Sequence, residues 1–187
     1  FRPEDAPLRR KFALAPADQS GFERAMETMQ RGIDLFNALD VRAGVLHVGG
    51  IPLIEAGWEP ERIFARRAEA IQRVSKMAAG GPTVICLENY GAQSGAGAQT
   101  AADLLALIKA AGGKQLGLCL DTGHALLAGV DSAGFIRQAG TALQALHIAD
   151  NRGQKDDHLL PYGYGQAPWP TIMEALRETG YEGLFNF

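Results

Sequence analysis

Five short, almost uninterrupted apolar runs recur along the chain: GVLHV (44–48), TVICLE (83–88), QLGLCL (115–120), ALQALHI (142–148) and GLFNF (183–187). A strand that is apolar on both faces has to be covered on both, which a parallel sheet with helices on its outside achieves. The intervening segments supply such helices. SGFERAMETMQRGIDLFNALD places Phe22, Met26, Met29, Ile33 and Phe36 on one helical face, with Ser20 and Glu23 in capping-box spacing. A second helix runs from Pro60 to Ala79 before Gly80-Gly81-Pro82, a third is capped by Thr100 and Asp103, a fourth follows Asp131, and a fifth runs from Trp169 to Thr179. Five strands alternating with five helices point to an α/β barrel or a related parallel sheet.

The charged positions of the second helix, Arg62, Arg66, Arg67, Arg73 and Lys76, read as its solvated face. The glycine-rich stretch YGAQSGAGAQ does not have GxGxxG spacing and follows a strand that ends in a carboxylate, so it is no dinucleotide fingerprint. It suits either a lid over a substrate or a plain connector.

Composition narrows the function classes. A net charge of -3 over 187 residues gives no reason to expect a nucleic-acid partner, and no run reaches the ~18 apolar residues of a membrane span. Cys86 and Cys119 each lie inside an apolar run without CxxC spacing, as buried free thiols would, and a reducing cytoplasm fits them. The N-terminus lacks both a signal-peptide h-region and an initiator Met, so the chain reads as a single domain spanning 1–187 cut from a longer protein, truncated at both ends.

Chemistry gathers where strands end. His47, Glu88, Asp121 and His147 all fall at the C-terminal end of an apolar run, where side chains of a parallel sheet enter the mouth of the fold. Glu88 closes an otherwise apolar strand, and burial there calls for a cation, a proton or a strong donor beside it. Asp121 and His124 are three apart at a strand-to-helix turn, which puts both on one side of it. The same spacing also suits an Asp N-cap beside a His bonded to a loop carbonyl. The polar loop ADNRGQKDDHLLPYGYGQAPW adds Asp150, Asp156, Asp157 and His158, and the D-x-H spacing of Asp156 and His158 matches a ligand pair.

LHVGG, LENY, LDTGHALLAG, LHIADNRGQKDDHLLPYGYG and the closing WPTIMEALRETGYEG together resemble the xylose isomerase-like TIM-barrel superfamily, most closely its sugar and sugar-phosphate isomerase/epimerase branch. The resemblance implies a (β/α)8 barrel, with about five of the eight strands in this chain. It implies one divalent ion (Mn, Co, Mg or Zn) held by Glu88, Asp121, His147 and a glutamate expected directly after GLFNF. It also implies a cytoplasmic enzyme of carbohydrate metabolism, with a sugar or sugar phosphate as partner and a homo-oligomeric assembly compatible with the fold. Proton transfer next to a carbonyl through a metal-stabilised enediolate would use Glu88 as one acid/base and His124 to orient a substrate oxygen. Endonuclease IV-type AP endonucleases share the skeleton. On that pattern His47, His124, Asp156 and His158 become additional metal candidates, for a zinc phosphodiesterase acting on abasic DNA. A catalytically silent relative that binds metal or sugar is the third alternative.

Overall fold

A computed structural model describes residues 14–91 and 97–187. The elements in chain order are α1 (Gln19–Ala38), β1 (Ala43–His47), α2 (Ile51–Glu55), α3 (Pro60–Ala78), β2 (Val84–Glu88), α4 (Ala101–Ala111), β3 (Leu116–Asp121), α5 (Thr122–Leu127), α6 (Ser132–Ala139), β4 (Leu143–His147), α7 (Trp169–Thr179) and β5 (Phe185–Asn186). Each of the five apolar runs forms a strand. The short helices α2 and α5 are additions to the five-helix reading.

The strands are all parallel and lie side by side in chain order, β1 to β5. In a doubly wound sheet the order reverses at a switch point and helices cover both faces. Here every crossover steps in the same direction, and because such crossovers are right-handed, the helices fall on one face. This is the winding of a (β/α)8 barrel.

Side chains alternate between the two faces accordingly. Leu87, Leu118, Leu120 and Leu146 pack outward with Leu104, Leu107, Ile136 and Ile172 of the helices. Cys86, Cys119 and Ala145 form a separate small-residue cluster with Ala43, Val45 and Val84 on the inner face. Both cysteines are free and buried, and burial pushes the Cys86 thiol up to about 12 and the Cys119 thiol higher still.

Two local expectations need correction. The first helix is capped by Asp18, whose carboxylate accepts from the Gly21 amide at 2.6 Å, so Ser20 and Glu23 lie inside it and form no capping box. Glu23 instead forms a two-point ion pair with Arg73 of α3. Arg67 is not on a solvated face: it is 2% exposed, and its Nε donates to the Gly49 carbonyl at 3.0 Å. Gly50, at φ 117°, must remain glycine because a Cβ there would enter the space of the Arg67 guanidinium. The Thr100/Asp103 capping box of α4 is present as read. Most of the glycine-rich stretch after Tyr90 lies outside the described residues.

Candidate metal centre

The inner face carries a ladder of polar groups at its C-terminal end. His47 is level with Glu88 across β1 and β2, Glu88 with Cys119 across β2 and β3, and Asp121 with His147 across β3 and β4. Glu88 and Asp121 are almost fully buried, His147 and His124 partly so, and the His47 side chain is 53% exposed.

Glu88 is the hub. Its Oε2 is 2.7 Å from His47 Nε2 and its Oε1 is 2.9 Å from His147 Nδ1. Burial alone would raise the Glu88 carboxyl, but hydrogen bonds from His147 and His47, helped by their charge, hold it down at about 2. The same Glu88 bond raises His147 above the ordinary imidazole range. Asp121 goes the other way. Burial pushes its carboxyl up despite His124, and the Glu88 charge adds to the effect.

Asp121 divides its two oxygens. Oδ1 caps α5 by accepting from the His124 amide at 2.8 Å, while Oδ2 lies 3.8 Å from His124 Nδ1 and 3.9 Å from His147 Nδ1. His124 Nδ1 is 3.0 Å from the Asn89 carbonyl. The capping geometry anticipated for Asp121 and His124 is therefore present, and it leaves Oδ2 facing the other donors.

Among the described residues, two overlapping donor sets follow. Ligand atoms of Glu88, Asp121 and His147 lie within 4.8 Å of one another, and so do those of His47, Glu88 and His124. Carboxylate and imidazole donors converging on one small volume are the chemistry of a divalent-ion site. Two carboxylates drawn together in a buried place repel unless a cation or proton lies between them.

The two other candidates stand further out. Asp156 Oδ2 is 3.7 Å from His124 Nε2 and 3.1 Å from His158 Nε2, so Asp156 bridges the cluster and an exposed His158. Neither belongs to a donor set among the described residues. Asp150, grouped in the sequence with a solvated loop, is buried. It accepts from the amides of Asn151, Gln166 and Ala167 and from Trp169 Nε1 at 2.7 Å, fastening the loop to α7.

The sequence profile of the xylose isomerase-like TIM barrel matches residues 5–187. The chain belongs to that family. The uncharacterized protein MJ1311 of Methanocaldococcus jannaschii is 29% identical over 178 residues, 92% of this chain and 60% of its own length. Among solved structures, a D-tagatose 3-epimerase-like protein superposes with TM-score 0.83 at 26% identity, covering 94% of this chain and 66% of that one. An L-ribulose 3-epimerase superposes with TM-score 0.81 at 27% identity, covering 95% and 58%. This xylose isomerase-like chain thus spans roughly three fifths of its relatives' length and forms part of a TIM barrel. No helix among the described residues is long and apolar enough to cross a membrane.

Residue-level reading from sequence passed over Asn89, Thr122 and Asn151, all fully buried polar groups at the same end of the sheet. Their positions beside strand ends were the only signal.

Proposed function

We propose that this chain carries the divalent-metal centre of a sugar or sugar-phosphate epimerase/isomerase, with Glu88, Asp121 and His147 as ligands. The convergence of those three donors within 4.8 Å, at the mouth of a fold shared with sugar 3-epimerases, supports the reading. A divalent ion bound there supplies Lewis acidity toward the oxygens of a sugar carbonyl and its neighbouring hydroxyl.

One half of the proton work falls to a residue of this chain. Glu88, buried at the strand end among the other donors, serves as a base for the proton on the carbon beside the carbonyl. The electron pair left behind moves onto the carbonyl oxygen. A proton delivered to the opposite face of that carbon by a second acid completes the inversion. His124 has Nδ1 committed to the Asn89 carbonyl, so in its neutral form Nε2 is the acceptor that orients a substrate hydroxyl. Leu120 and Leu146 pack among the helices behind this ladder and contribute to its rigidity.

The second donor set, His47, Glu88 and His124, favours one competing reading: a multinuclear zinc phosphodiesterase of the endonuclease IV type. The experiment that separates the two is incubation of the full-length, metal-loaded protein with ketoses in D2O, followed by proton NMR. Solvent deuterium at the carbon beside the carbonyl supports the epimerase reading. No exchange with any ketose, together with cleavage of an abasic oligonucleotide, overturns it.

A further inference from the structure

The backbone ladder of each inner seam runs out just where the ligand-bearing residues begin. Between β2 and β3 the last paired residues are Glu88 and Cys119, and between β3 and β4 they are Asp121 and His147. Beyond those points side chains take over. The Asn89 amide bonds Asp121 on both sides of its backbone: the Asp121 N–H donates to Asn89 Oδ1 at 2.7 Å, and Asn89 Nδ2 donates to the Asp121 carbonyl at 3.0 Å. The Thr122 hydroxyl does the same to Ala149, accepting from its N–H at 3.0 Å and donating to its carbonyl at 2.6 Å. Asn151 closes the series by donating to the Gly123 carbonyl at 2.9 Å.

An amide and a hydroxyl here imitate peptide groups, each offering one donor and one acceptor to the neighbouring strand end. A true backbone continuation would carry the pleat onward and fix where the next side chain points. A side-chain latch holds the strand ends at the right height while letting the main chain leave for the loops. Asn89, Thr122 and Asn151 are all fully buried; Asn89 and Thr122 directly follow Glu88 and Asp121 in the chain, and the bonds of the three fall on Asp121 itself, on Ala149 two residues after His147, and on Gly123 two residues after Asp121. Asn89 acts twice, since its own carbonyl also receives His124 Nδ1.

We infer that Asn89 and Thr122 are positioning residues, which set the mutual spacing of Glu88, Asp121 and His147 by splicing β2 to β3 and β3 to β4 beyond the end of the sheet. This rests on the metal-centre reading above. Hydrogen bonds that orient ligands commonly change metal affinity about 10–100-fold when lost. Asn89 cannot be exchanged for Asp in this role, because a carboxylate has no donor for the Asp121 carbonyl and adds a charge beside two others.

The test is a cobalt(II) titration of the full chain, read by its visible absorption bands, with circular dichroism of each ion-free variant alongside. Thr122→Val keeps the shape and removes the hydroxyl, Thr122→Ser keeps the hydroxyl, and Asn89→Ala removes the amide. The expected result is native-like dichroism throughout, binding weakened about 10–100-fold with altered band positions in Thr122→Val and Asn89→Ala, and near wild-type binding in Thr122→Ser. Wild-type binding by both latch-less variants overturns the inference, as does equal weakening by serine and valine. Loss of fold in both latch-less variants also overturns it, since the groups would then hold the sheet and not the ligands. If only one variant unfolds, the other decides by the same criterion. Failure of the wild-type protein to bind cobalt is a separate result: it removes the metal reading itself, and the latch's role toward ligands with it.

Discussion

Glu88 and His147 stand on β2 and β4, with β3 between them, yet Glu88 Oε1 and His147 Nδ1 are 2.9 Å apart. Strands two apart are separated by roughly 9–10 Å in the sheet. Their side chains meet because the sheet curls and long groups reach inward over β3, whose Cys119 at that level is small. Curvature of the barrel and convergence of donors are thus one geometric fact.

Replacing Glu88 by Gln should leave the fold intact and lower turnover by about 10²–10⁴-fold, the range for a positioned acid or base. Dichroism and steady-state kinetics on the most active ketose check it. Retention of more than about a tenth of the rate removes Glu88 from that role.

Metal affinity should fall in acid, beginning above the ordinary imidazole range. The Glu88 carboxylate stabilises the protonated form of His147, and that proton must leave before Nδ1 can act as a ligand. Below the raised value, affinity should drop about tenfold per pH unit, while Glu88, ionised down to about 2, adds nothing near neutrality. In the ion-free protein the sign is opposite. The pair's stabilisation is full between 4.5 and 6.5, is lost as pH rises through the raised His147 value, and is lost in strong acid as pH falls toward about 2, where Glu88 protonates. Calorimetric titration with manganese across a pH series reads the first effect, and affinity independent of pH would contradict it.

Asp150→Asn should loosen the loop between β4 and α7. One of its two oxygens becomes an NH2 group, so either the Trp169 indole N–H or the amides of Gln166 and Ala167 lose their acceptor. The cost should be on the order of 1–3 kcal/mol. Urea unfolding measures it, and a shift in Trp169 fluorescence should accompany it.

Cys86 and Cys119 should resist iodoacetamide in the native protein and react once it is unfolded, because both thiols are buried and held far from the thiolate form. Peptide mass spectrometry before and after denaturation distinguishes the two states.

The strands and the main donors were legible because a parallel sheet covered on both faces writes itself as apolar runs, and a charged residue closing such a run has only the mouth to enter. Arg67 was misplaced although its signal was present. Ile63, Arg67, Ala70, Ile71 and Val74 follow one helical stripe, and all five are buried. Its position in the stripe, and not its charge, decides its burial. Asp18 and Ser20 are both good caps two residues apart, and the choice between them depends on where the preceding chain enters, which local spacing does not encode. Asn89, Thr122 and Asp150 bond backbone groups 32, 27 and 16 or 17 residues away, so their roles exist only once the strands are assembled.

The most direct test of the metal centre is elemental analysis of the full-length protein after gentle dialysis. The account expects about one manganese, cobalt, magnesium or zinc ion per chain, reduced by Asp121→Ala and by His147→Ala. No retained ion, and none taken up on titration, would contradict it.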